Sequence, residues 1–506
     1  MKQFRHLCVV LSLVVLPLAG DPLSYVALAG PPSTVTLTRY TSLGGSATMI
    51  ASVPDGIAVA KDTFGNYMVV TGSALVQVMP TGAVTSKALA PASGPSPSNW
   101  VAIASDSLGN VIVADNHAHE VWRITPGSLF SLEKEVASYP VFSPSQSEDA
   151  AVAVDPSGNY LVLEDNGGSL HLYSITPAGT VTPIALSGAT ATSFNTSLIP
   201  DGAGNYVFAS SVANALFRVT PAGVVTQIAG HITVTGGLTS VTQNPDTGDF
   251  YVTDVADDVL QISADGSSIS QVANVPGLVR DMIAETYGDL PHLAAGDVWT
   301  TGFYILNTGD RSASYWIGFF DDAGNPVSLP LPSGSSESLQ GTLPARGMTY
   351  VEAANPTAAL MVGSGLISAD ATITVQALFR EHAGGGVYYE AGVAASAGST
   401  AFTIPFDATT FPPTGAALYT GFALANLDPA NSAGVTCIAT DSTGATIPNG
   451  VPLPALSPLG HYANYLFPAL TGKQGTLNCS ANTLVAAIAL RSIGGSAFSS
   501  LPVLYK

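Results

Sequence analysis

The stretch DPSGNYLVLEDN, residues 155–166, fixes the architecture because looser copies of it return four times: KDTFGNYMVVTG (61–72), SDSLGNVIVADN (105–116), PDGAGNYVFASS (200–211) and NPDTGDFYVTDV (244–255). Aligned on their turn glycines, Gly65, Gly109, Gly158, Gly204 and Gly248, the copies lie 44, 49, 46 and 44 residues apart. In Asp-x-x-Gly-Asn the Asp carboxylate can accept from backbone N–H groups two or three residues on. Gly supplies the positive φ that a tight hairpin demands at little steric cost.

A period in the forties is the spacing of a propeller blade. Each period has the same grammar, seen in VAIASDSLGNVIVADNHAHEVWRITPGS (101–128): an apolar strand, the Asp-Gly-Asn hairpin, an alternating strand, a polar corner, and a third strand closing on Pro and Gly. A fourth strand such as VVTQIAG (224–230) follows, and four strands per unit predict one blade. The ring must close. STVTLTRY (33–40) and ATMIASV (47–53) before the repeats, with GLVRDMIAE (277–285) after them, are expected to pair as a composite sixth blade, with a five-bladed ring as the alternative.

IASDSLGNVIVADNHAHEVWRI (103–124) resembles an NHL repeat, and the likeness extends loosely over residues 53–275, departing from the family's Asp at Thr71 and Ser210. The resemblance implies a propeller of the group that includes virginiamycin lyases and gluconolactonase relatives, but also many plain binding modules. It is specific for fold and not for activity.

From about Leu290 the blade grammar stops. TTGFYILNTGDRSASYWIGFFDDAGNPV (300–327) is answered by YTGFALANLDPANSAGVTCIATDSTGATI (419–447), and Gly302 aligns with Gly421, Asp321 with Asp441. Short strands with turns about every dozen residues predict two tandem antiparallel β-sandwiches of immunoglobulin type. They resemble the paired β-domains that trail many secreted bacterial repeat proteins. The expected fold is therefore all-β, with a propeller over 33–289 and sandwiches over 290–398 and 399–506. Cys437 and Cys479 align with Ile317 and Ile367 of the sister domain, both positions expected to face inward, and a disulfide between them is expected.

Residues 1–29 read as a secretory leader: Lys2 and Arg5 precede an apolar run from Leu7 to Ala19, and Ala27-Leu28-Ala29 offers a cleavage site, with Ala19 as the other. The expected location is outside the cytoplasm: secreted, cell-surface or periplasmic. No later segment has the length and apolarity of a membrane-spanning helix. With 15 Lys and Arg against 35 Asp and Glu, a net charge of −20 excludes nucleic acid as a partner, since that affinity comes from clustered cations.

Five residues beyond the Asn of each hairpin (Asp249 in the fifth) come Thr71, Asp115, Glu164, Ser210 and Asp254, all on one rim of the disk. Asp115, Glu164 and Asp254, with His117 of the family's Asn-His corner, are the candidate ligands of a hard cation, calcium or magnesium. The competing reading is that each caps its own corner. His119, His171 and His231 fall at unlike points of their blades, and neighbouring His119 and Glu120 point to opposite faces. Trp100, Trp122, Trp299 and Trp316 could stack on a sugar, but Trp in a β protein more often packs in the core. No nucleophile elbow, zinc-protease motif or phosphate loop is present. The expected function is an exported, monomeric, non-catalytic protein whose propeller face takes a protein or glycan ligand and whose sandwiches act as spacers or envelope attachments. A metal-dependent lyase or lactonase is the alternative.

Overall fold

A computed structural model describes residues 23–41, 47–89, 100–106, 108–116, 118–125, 132–138, 148–166, 169–188, 197–201, 203–354, 359–464, 467–494 and 497–506. The fold is all-β: a propeller followed by β-sandwiches, with Pro32–Thr34 and Pro468–Leu470 the helical turns among the described residues.

Each repeat folds into an antiparallel four-stranded meander, as in Gly56–Lys61, Tyr67–Thr71, Ala74–Val78 and Val84–Ala88. The hairpins explain the recurrent letters. Asp62 Oδ1 accepts from Phe64 N at 2.8 Å and Asn66 N at 2.9 Å, so its donors stand two and four residues on, and its Oδ2 takes the Asn66 amide at 2.8 Å. Asp106 and Asp155 repeat this arrangement, and Asp201 does so less symmetrically. The turn glycine adopts φ from 76° to 83° in all five copies, where a side chain would be strained.

The innermost strands touch in sequence. Gly56–Lys61 packs on Trp100–Ser105, then follow Glu148–Val154, Ile199–Pro200, Leu238–Gln243 and Val279–Ala295, which returns to Gly56–Lys61. The apolar clusters have the same periodicity: one joins the first repeat to the second through Met68, Trp100 and Val113, the next joins the second to the third through Ile112, Tyr160 and Tyr173. A single four-stranded sheet leaves both faces apolar, so each face is covered by the next sheet and the stack bends into a closed ring.

The segments expected to close the ring lie in one sheet, in the order Ala47–Ser52, Thr36–Tyr40, Leu23–Ala29, Val279–Ala295. The third of these strands was not foreseen in the sequence reading. Leu23–Ala29, assigned there to the leader, is a strand with six of seven residues buried, between Thr36–Tyr40 and Val279–Ala295. Cleavage after Ala29 would remove it from the middle of its sheet, whereas cleavage after Ala19 would spare it. The rest of the segment read as a leader, residues 1–22, lies outside the described residues.

Val279–Ala295 is 17 residues long and belongs to two domains. Its first half pairs with Leu23–Ala29 in the propeller. From Glu285 on it pairs with Met361–Asp370, so the boundary drawn at 289/290 falls inside one strand. The first sandwich packs the sheet Val279–Ala295, Met361–Asp370, Ala313–Phe320, Ser338–Leu343 against Met348–Ala353, Trp299–Asn307, Ile373–Gly384, Val387–Ala394. Phe303, Ile317, Phe319 and Ile367 fill its core.

In the second sandwich the 20-residue strand Gln474–Ile493 runs through a nine-stranded sheet, pairing with Ser399–Asp407 and Val435–Asp441 early and with Ala416–Asn426 and Ala497–Leu501 late. Cys437 and Cys479 are cross-strand partners joined by a disulfide, Cα atoms 4.1 Å apart, and Ile317 faces Ile367 in the same way in the sister domain. Among the described residues no helix is long and apolar enough to cross a membrane.

Candidate functional site: the two mouths of the propeller

The five rim positions are all buried. Thr71 Oγ1 accepts from Ala74 N at 2.9 Å, Asp115 Oδ1 from Ala118 N at 2.9 Å, and Ser210 Oγ from Ala213 N at 3.2 Å. Asp254 Oδ1 accepts from Ala256 N and Asp258 N at 2.9 and 3.0 Å, and its Oδ2 from Thr235 N at 3.2 Å. Four of the five therefore tie down their own corner, as short oxygen-bearing side chains do in turns.

Glu164 departs from this pattern. One methylene longer than Asp, it reaches past its corner to the preceding repeat, where Oε1 lies 2.6 Å from His119 Nδ1, off the direction of a well-aligned hydrogen bond. Its Oε2 is buried without a hydrogen-bond partner among the described residues. His119 is held at φ 54°, a strained conformation for a residue with a side chain. His171 is the cross-strand neighbour of Glu164. Burial, with the Glu164 charge adding to it, pushes the Tyr173 hydroxyl up to about 12. On the neighbouring strand, burial and then the Asp165 charge raise the Asp149 carboxyl.

Glu120 turns away, accepting from Trp122 Nε1 at 2.8 Å. His231 stands apart on an exposed loop, and His117 lies outside the described residues. Among the described residues no group of three His, Cys, Asp or Glu is arranged to hold a metal. The tryptophans serve packing: Trp100 is buried edge-on to Trp122, Trp299 stacks on Phe379 at 4.5 Å, and Trp316 packs against the cluster around Tyr287.

At the other mouth, on the hairpin side, lies a cavity of about 470 Å³. Its floor and walls are the ends of the innermost strands (59–61, 103–106, 152–156, 197–201, 242–243 and 281–284), and its roof is residues 308–314, Arg346 and 370–372 of the first sandwich. Asp281 sits at the axis. It accepts from Val59 N at 2.9 Å, Ser197 Oγ at 2.8 Å, Ser240 Oγ at 3.1 Å and Met282 N at 2.9 Å, stapling separate sheets together. Burial raises its carboxyl, and those donors oppose the rise.

Beside the cavity a buried charge cluster fastens the sandwich to the ring. Glu285 accepts from Arg39 Nε at 2.8 Å, from the Tyr67 hydroxyl at 2.6 Å and from Lys61 Nζ, while Arg39 lies 3.2 Å over the Tyr287 ring. Burial alone would raise Glu285, but Lys61 and Arg39 hold it below the ordinary carboxylate range. Burial lowers Lys61, with the Arg39 charge adding to the effect against the pull of Glu285.

No family model matches the chain, and no curated protein is similar to it in sequence. Solved structures similar to it in fold include a catalytically inactive virginiamycin B lyase from Staphylococcus aureus with quinupristin, 19% identical, covering 44% of this chain and 70% of that one at a TM-score of 0.35. A protein of unknown function from Bacteroides caccae is 13% identical over 52% of this chain and 99% of its own, with a TM-score of 0.41. The calcium-binding protein regucalcin from Agrobacterium tumefaciens is 18% identical over 44% and 75%, with a TM-score of 0.35. Likeness at this level leaves activity to be argued from this chain's own residues.

Proposed function

We propose that this chain is an exported, monomeric, non-catalytic binding protein: a propeller of six blades that presents a ligand surface, and two immunoglobulin-like sandwiches that space it or fix it to the cell envelope. The observation that carries this reading is the fate of the charged groups round the axis. Asp115 and Asp254 hold their own corners, and Asp281 is saturated by four donors. Side chains so engaged supply shape and rigidity rather than a reacting group. The closed cycle of innermost strands supports six blades.

One contact favours the other reading, a metal-dependent lyase or lactonase: Glu164 with its spare buried oxygen beside His119. Metal analysis of the purified chain, with thermal melts in calcium, magnesium and EDTA, separates the two. The binding reading expects melts indifferent to both cations and to chelator. A cation-dependent rise in Tm that disappears in Glu164→Gln would overturn it in favour of the enzyme.

A further inference from the structure

Arginine is scarce in this acidic chain, and nearly every guanidinium among the described residues is engaged. Arg39 pairs with Glu285, Arg218 with Asp201, Arg380 with Glu352 and Glu390, and Arg491 with Asp407, while Arg123 and Arg280 donate to carbonyl oxygens. The two left, Arg311 and Arg346, make no side-chain hydrogen bond or ion pair among the described residues, and both line the roof of the 470 Å³ cavity.

Their backbones are pinned together. Asn307 Nδ2 donates to the carbonyls of Arg311 at 2.6 Å, Leu343 at 3.3 Å and Pro344 at 3.0 Å, its Oδ1 accepts from Gly309 N at 2.9 Å, and Arg346 N donates to Gly309 O at 2.9 Å. Arg346 is held at φ 53°, a conformation that costs a side-chain-bearing residue free energy and persists only when its surroundings impose it. The Arg311 charge is felt by Asp370 on the same roof and by Tyr206 in the ring below.

Most carboxylates that share the cavity are already committed: Asp106, Asp155 and Asp201 to their hairpins, Asp281 to its four donors, Asp370 to Ser314 N, and Asp310, next to Arg311 in the chain, is the exception. The described lining carries no aromatic ring but many hydroxyls, among them Thr63, Ser105, Thr242, Thr308 and Thr372. Planar guanidinium forks match carboxylates, and the hydroxyls match a polyhydroxylated body. The volume is that of a small-molecule site.

We propose that this cavity binds a hydroxylated carboxylate of the uronic-acid kind, its carboxylate held by Arg311 and Arg346 under the sandwich roof. This rests on the binding reading above and names its ligand class and place. The test is calorimetric titration of the full chain with glucuronate, with glucose and inorganic phosphate as the neutral and anionic comparisons.

Glucuronate is expected to bind and glucose not. Arg311→Gln and Arg346→Gln are each expected to weaken binding roughly 10- to 100-fold, as loss of a charge-assisted hydrogen bond does. Both side chains are exposed, so Tm should hold. Absence of glucuronate binding, phosphate binding more tightly than glucuronate, or unchanged affinity in both variants overturns the assignment and leaves the binding reading standing for another ligand. Turnover of bound glucuronate would instead sink the non-catalytic reading while keeping the site.

Discussion

The two mouths of the propeller differ in how their charges are used. At the corner rim, positions that look like a ligand set are mostly local fasteners, each neutralised by amides a few residues away. At the hairpin mouth, charges from distant parts of the chain meet: Arg39, Lys61 and Glu285 lock the sandwich to the ring, and Arg311 and Arg346 overhang the opening. Local spending leaves little for a ligand, whereas assembly across domains can leave side chains over an opening with no local partner.

The sharpest way to break this contrast is to remove Glu285. Glu285→Ala strands two buried cations, and we expect a loss of about 3–5 kcal/mol, read by urea denaturation. A loss below about 1 kcal/mol would mean that the cluster is solvated and the sandwich loosely hung. Asp254→Ala sharpens the other side. It frees amide groups of one corner and should cost about 1–3 kcal/mol, with the same cost in calcium and in EDTA. A loss of Tm that calcium restores would return the rim to metal binding.

An effect that vanishes at neutral pH lies between the sandwiches, where His292 Nδ1 is 3.3 Å from His461 Nε2 and His461 Nδ1 is 2.7 Å from Asp322. Burial, and then His461, lower His292 to about 3. The unfolded chain therefore takes up this proton first. Stability from the neutral ring is full above about pH 6.5 and drains away as pH falls toward 3. His292→Leu should flatten the stability profile over that window by one proton, and an unchanged profile would mean that His292 is not held neutral.

Much of the fold was legible because its signals are local. Asp62 and Gly65 close a hairpin with residues up to four away, so five such turns could be read without knowing what surrounds them. The segments that complete the ring were legible from the requirement that it close, and the cysteine pair from the echo between the sandwiches. Leu23–Ala29 was not foreseen as a strand because a strand buried on both faces is continuously apolar, as a leader is. The unity of Val279–Ala295 was hidden because the blade grammar stops at about Leu290, although the strand runs across that junction with a register shift. The rim residues were found but Glu164 was not set apart, since its partner His119 belongs to another repeat. Arg311 and Arg346 gave one faint signal, the rarity of arginine.

The sequence by itself determined the repeat, its hairpins, the all-β class and the disulfide, because each depends on backbone conformation and on side chains at fixed spacing. Only the tertiary structure decided which charges are consumed and which remain over an opening. That depends on three-dimensional neighbours more than 200 residues apart, as with Arg39 and Glu285, and no local pattern encodes it.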